Sequence, residues 1–249
     1  MSNRAEITRR DILKSGAAAA TLTLAPGVTL MAFGGSAEAG AADAGKRWGL
    51  LIDASKCASD CNDCVTACKV ENGWGAAAET ETVSPEQAPE WIRKVTLREA
   101  STGRETSAPV MCQHCENAPC VDVCPTGASM QRADGIVLVD RHICIGCRYC
   151  MMACPIKARS FVHAPLHDQK ANAPRGQGTV EACNLCAPRI DRGRIPACVE
   201  ACEAAGHSAI LFGDLNDPDS ALSRRIRDYS TTKLRADLNL DPGVRYQNL

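Results

Sequence analysis

Aromatic residues are scarce in this chain: three each of Trp, Tyr and Phe among 249 residues. With so little large apolar surface, covalent or metal cross-links are expected to replace part of the core. A basic stripe interleaved with aromatics is also missing, and the formal charge is −1, which excludes the usual nucleic-acid-binding surface. No Gly-rich phosphate loop is present, nor a nucleophile beside its base, nor a carboxylate pair in a supporting context. No substrate site of the chain's own is expected from these absences. Beyond the first 39 residues no run resembles a membrane span. What the chain has in excess is cysteine, at 16 residues.

The first 39 residues have the three parts of an export signal. "TRRDILK" (8–14) matches the twin-arginine pattern through Arg9 and Arg10. A soft apolar region runs from Ala17 to Phe33, and "AEA" (37–39) offers cleavage after Ala39. A retained anchor is the competing reading. Residues 15–37 are long enough, but Gly, Ala, Thr and Pro dilute them, whereas insertion favours Leu, Ile, Val and Phe. The expected organisation is a signal peptide (1–39), a cysteine-rich domain (40–215) and a tail with a short helix (216–249). The helix should start near Asp219 or Ser220 and lead to an extended end.

Elsewhere only short elements are expected. "RWGLLIDASKC" (47–57), "WIRKVTLREA" (91–100) and "GIVLVD" (135–140) read as strands, with Gly103 turning the second back toward "APVMC". Residues 72–90 and 163–180 read as loops from their Gly and Pro content. The fold class is α+β with little regular structure, punctuated by cysteines.

The cysteines fall in four groups with none left over. They are Cys57-x3-Cys61-x2-Cys64-x3-Cys68, Cys112-x2-Cys115-x4-Cys120-x3-Cys124, Cys144-x2-Cys147-x2-Cys150-x3-Cys154 and Cys183-x2-Cys186-x11-Cys198-x3-Cys202. The third group, followed by Pro155, matches the bacterial ferredoxin run C-x2-C-x2-C-x3-C-P. In that run three close thiolates hold one 4Fe–4S cluster, and the fourth completes the neighbouring one. Two groups thus make one double-cluster unit with exchanged ligands, and four groups make two tandem units. Disulfides would suit a secreted chain but do not call for this repetition. Zinc would use paired CxxC motifs but leaves the third cysteine and the trailing C-P unexplained.

"CQHCENAPCVDVCPTGAS", "GIVLVDRHICIGCRYCMMACP" and "IPACVEAC" resemble the four-cluster iron–sulfur subunits of bacterial membrane redox complexes. The resemblance covers most of residues 47–215 and implies four 4Fe–4S clusters. It implies one cluster on Cys112, Cys115, Cys120 and Cys154, and its neighbour on Cys144, Cys147, Cys150 and Cys124. The outer pair would take Cys57, Cys61, Cys64 with Cys202, and Cys183, Cys186, Cys198 with Cys68. The chain departs from the family pattern in the longer first gap of group one, in Glu203 where a proline usually follows Cys202, and in the longer "EAAGHSAI".

"CASDCNDCVTACKVENGWG", together with a leader of its own, is most similar to the periplasmic subunit of the complex associated with dissimilatory sulfite reductase. That likeness implies two partners: an integral-membrane quinone-interacting subunit of the polysulfide-reductase type and a periplasmic multihaem cytochrome c. It also implies a place at the outer face of the inner membrane, reached through those partners. The alternatives are the iron–sulfur subunit of a nitrite, polysulfide or molybdopterin reductase system, and a disulfide- or zinc-stapled secreted module.

Other residues read as supporting cast. His114 and His142, beside cysteines, are expected to be structural, because the cysteines already suffice as ligands. His163, His167 and His207 read as surface residues, Trp74 and Trp91 as core, and "SRRIRD" (223–228) as a polar helix face.

Overall fold

A computed structural model describes residues 22–25, 28–30, 42–73, 88–166, 169, 170 and 173–249. The chain divides into two compact units, 1–39 and 40–249. In the first, β1 (Leu22–Ala25) and β2 (Val28–Leu30) pair as an antiparallel hairpin. The twin-arginine stretch, the cleavage site after Ala39, Trp74 and His167 lie outside the described residues.

The second unit is α+β, with small sheets and short helices. Its central strand is β3 (Trp48–Asp53), whose Leu50, Leu51 and Ile52 are buried almost completely. A strand apolar on both faces needs cover on both sides. Two partners flank it: β10 (Ile210–Asp214), antiparallel, and β11 (Val244–Gln247), parallel. Gly49 lets the neighbours close in, because a Cβ there would lie 2.6 Å from the Gly243 carbonyl oxygen and 2.7 Å from Leu215 Cδ1. The expected extended end of the tail is thus a strand of the central sheet. The tail helix, α6 (Ala221–Asp228), starts where expected, with the Ser220 hydroxyl accepting from Ser223 N.

The hairpin β4 (Ile92–Arg98) and β5 (Glu105–Met111) turns around Gly103 as its sequence indicates. Trp91, just before it, is buried in the core and has the Arg141 guanidinium over its ring. Four short helices carry cysteines: α1 (Asp63–Asn72), α2 (Pro119–Asp122), α3 (Tyr149–Ala153) and α5 (Ala197–Ala204), with α4 (Ala187–Ile190) directly after Cys186. Two small antiparallel hairpins complete the unit. They are β6 (Ser129–Gln131) with β7 (Val137–Val139), and β8 (Arg159–Phe161) with β9 (Val180–Ala182). Among the described residues no helix is long and apolar enough to cross a membrane.

Candidate iron–sulfur sites

Helical spacing aims the cysteines inward. On α1, Cys64, Cys68 and Asn72 are buried at intervals of one turn, so they share a face. On α5, Cys198 and Cys202 do the same, and the two helices pack together. This packing brings groups one and four side by side although more than a hundred residues separate them.

Cys57, Cys61, Cys64 and Cys202 line one cavity, walled by Pro109, His207, Ala209 and Ile210. Lys94 secures its rim by donating to the carbonyls of Ala58 and Cys61 at 2.5 and 2.7 Å. Behind it, burial and then the nearby Cys183, Cys198 and Cys186 push the Cys68 thiol well above its ordinary range. A second cavity is lined by Cys112, Cys115, Cys120 and Cys154 and is closed by Ala118, Val137, Ile156 and Arg159. In the remaining set, Cys144 acts electrostatically on the buried Cys150, Cys147 is exposed, and Cys124 is half-buried. The loop between Cys144 and Cys147 depends on Gly146, whose φ is +68° and where a Cβ would sit 2.2 Å from the Gly178 carbonyl oxygen.

The sets also lie within electrostatic reach of one another. Cys64 acts on Cys198, Cys112 on Cys183, and Cys120 on Cys150. The Cys57 set thus neighbours the Cys183 set, which neighbours the Cys112 set, which neighbours the Cys144 set.

The donor groups around the sulfurs suit iron-bound thiolate. Backbone N–H groups of Ser129, Ala158, Val180, Leu185 and Ala209 donate to Cys124, Cys154, Cys144, Cys183 and Cys202 at 3.2–3.5 Å. Asn72 Nδ2 reaches Cys68 Sγ at 3.7 Å. Burial raises the thiol of Cys64 to about 11 and those of Cys112 and Cys115 to about 12. Cys124 goes the other way: burial raises it, but the hydrogen bonds from Ser129 and Thr126 outweigh that and lower it. Thiols held protonated by burial give up those protons when iron binds, so cluster binding and proton release are coupled.

All sixteen cysteines are free of disulfides. Among the described residues no three His, Cys, Asp or Glu side chains converge closely enough for a single metal ion. A zinc ion draws its sulfurs to about 2.3 Å of one point. A four-iron cube holds its four thiolates at separate corners, and each of the two cavities is lined by four cysteines.

Two side chains escape sequence reasoning. His207, read as a surface residue, forms part of a cavity wall. Arg159, unremarkable in "KARSF", is buried against the cysteines, with Nη2 donating to Cys120 Sγ at 3.0 Å. Nothing local marks either one, because neither residue belongs to a spacing pattern. His114 is structural in its contacts: Nδ1 accepts from Val137 N at 3.1 Å, and burial pushes its pKa down to about 3. His163 is exposed and meets the Phe161 ring edge-on.

Known proteins resemble this chain over most of its length. Residues 105–214 match the family model described as a 4Fe–4S dicluster domain. The chain is 38% identical to the Hdr-like menaquinol oxidoreductase iron–sulfur subunit 1 of Archaeoglobus fulgidus, over 97% of both chains. It is 34% identical to the NrfC homolog of Haemophilus influenzae, over 95% of this chain and 93% of that one. It is 38% identical to a sulfite dehydrogenase subunit of Allochromatium vinosum, over 79% of this chain and 81% of the other.

Proposed function

The chain belongs to the 4Fe–4S dicluster family of iron–sulfur electron-transfer subunits of membrane-associated oxidoreductase complexes, and on that premise we propose that it relays electrons between two partners through four clusters in a row. What supports this reading is that each proposed ligand set lies within electrostatic reach of the next, the Cys183 and Cys112 sets included. The ligand sets are those implied by the motifs: Cys57, Cys61, Cys64 and Cys202; Cys183, Cys186, Cys198 and Cys68; Cys112, Cys115, Cys120 and Cys154; Cys144, Cys147, Cys150 and Cys124. When bound, the clusters supply one-electron redox stations. The chain's own residues hold them, exclude water from the inner two and donate hydrogen bonds to their sulfurs.

The two ends differ. Next to Cys147, the side chains of Ile145 and Met152 are 67% and 65% exposed, with Ile143 and Tyr149 also open to solvent. This apolar end suits an integral-membrane quinone-interacting partner. The opposite end carries the exposed acids Asp60, Asp63 and Glu203 and suits a soluble partner such as a multihaem cytochrome. Within the family, the first cysteine group and the leader favour the periplasmic subunit of the sulfite-reductase-associated complex. The domain order proposed is signal peptide 1–39, cluster domain 40–215 and tail 216–249.

Purified protein should be brown, contain about sixteen irons per chain and give paramagnetic signals on reduction. Iron near zero would sink the proposal. Mild detergent extraction should bring down a membrane subunit and a multihaem cytochrome, whereas recovery of a molybdopterin subunit would point to another complex. For export, replacing Arg9 and Arg10 with Lys should leave iron-loaded precursor in the cytoplasm, and normal export would refute the twin-arginine route.

A further inference from the structure

Arg159 opens β8 at 5% exposure, in the wall between two of the cysteine sets. Its Nη2 donates to Cys120 Sγ at 3.0 Å and to Ser129 Oγ at 2.7 Å. Its charge also acts on Cys112 and Cys150. The guanidinium is thus bonded to a cysteine of one set and within electrostatic reach of Cys150 in the next. Nε and Nη1 are buried and have no hydrogen-bond partner.

A guanidinium does not lose its proton inside a protein. A buried cation whose neighbours are neutral thiols is costly, so the site calls for negative charge that the sulfurs must supply. An iron-bound thiolate supplies it, and a cluster that accepts an electron supplies more.

We propose that Arg159 is a positioning cation that raises the reduction potentials of two adjacent clusters together and eases their simultaneous reduction. The proposal rests on the ligand sets given above. Each cluster takes up one electron and becomes more negative by that charge. A fixed cation bonded to a ligand of one and within electrostatic reach of a ligand of the other stabilises that form, and in the dry interior the attraction is weakly screened. Because it lies between the two, Arg159 also offsets the repulsion that the second electron would meet from the first. The step between the Cys112 set and the end station at Cys144, Cys147 and Cys150 is thereby kept from becoming a barrier.

The test is a redox titration of the full-length holoprotein followed by low-temperature EPR, comparing wild type with R159Q and R159K. In R159Q two of the four clusters should become harder to reduce. Their reduced-to-oxidised ratio at a fixed ambient potential should fall at least about tenfold, equivalent to about 59 mV for a one-electron couple. The other two should move much less, and R159K should recover most of the shift. Unmoved potentials in an iron-replete R159Q, or an equal shift in all four, would overturn the proposal alone. Wild-type protein lacking clusters would overturn the ligand sets and this proposal with them. If R159Q does not load iron, wild type labelled with 15N-arginine gives a second reading. Reduced clusters should show hyperfine coupling to an arginine nitrogen, and its absence would overturn the proposal.

Discussion

Asp241 shows how much one side chain can gather in a fold with a small apolar core. Its carboxylate accepts from Lys233 Nζ at 2.8 Å and Arg47 Nη1 at 3.1 Å, and faces Arg245 Nη2 at 3.5 Å. The hydrogen bond from Lys233 comes first among the causes that lower its pKa to about 2, with the charges of Arg47 and Lys233 adding to it and burial opposing. The folded value lies below the unfolded one, so the stabilisation is present in full above about pH 4 and fades as the pH falls toward 2. The carboxylate is 36% exposed, so solvent screening leaves about 1 kcal/mol of the contribution. D241N should therefore lower the midpoint of chemical unfolding at pH 7, and the gap from wild type should shrink as the pH approaches 3. Tyr246 makes a second residue-scale case. It is fully buried, donates to the Pro109 carbonyl at 3.2 Å and accepts from Gln113 Nε2 at 3.3 Å. Gln113 lies between Cys112 and Cys115, so the hydroxyl ties the last strand to a cluster wall. Y246F should cost about 1–2 kcal/mol, because the Pro109 carbonyl is left without this donor. Comparing denaturant midpoints at constant slope would measure it.

At the scale of elements, the cysteine spacings, the hairpin around Gly103 and the helix after Ser220 were all legible in the sequence, because each depends on residues close together in the chain. The pairing of Val244–Gln247 with β3 was not. Four residues with one central tyrosine carry no periodicity, and their partner strand lies almost two hundred positions earlier. The same limit hid Arg159, whose burial depends on β8 folding over α2 and β6. The cost of close approach can be tested at Gly49. Its missing side chain lets the Gly243 carbonyl and Leu215 pack over the central strand. G49A must displace them and should lose about 1–3 kcal/mol. A thermal scan of the loaded protein should show the loss, and an unchanged midpoint would mean that the sheet has slack its geometry does not suggest.

For the whole molecule, the arrangement of the sites matters more than their number. In the proposed relay of four stations the weakest gap limits transfer, and its two inner stations are the sets in which Cys112 acts electrostatically on Cys183. Cys183 is buried, and burial with the nearby Cys198 and Cys112 raises its thiol well above the ordinary range. A vacancy at this inner station leaves the end stations intact but doubles the step an electron must take. C183A should therefore lose about four irons per chain. It should also keep the paramagnetic signals of the Cys112 set and block transfer from a reductant docked at one end to an acceptor at the other. A lesion at an end station should behave differently. C147A should leave the inner stations in communication and impair exchange only with the partner at the apolar end. The two variants can be compared by stopped-flow reduction of the assembled complex. If C183A still passes electrons from end to end at the wild-type rate, the stations do not lie in series and the linear relay is wrong.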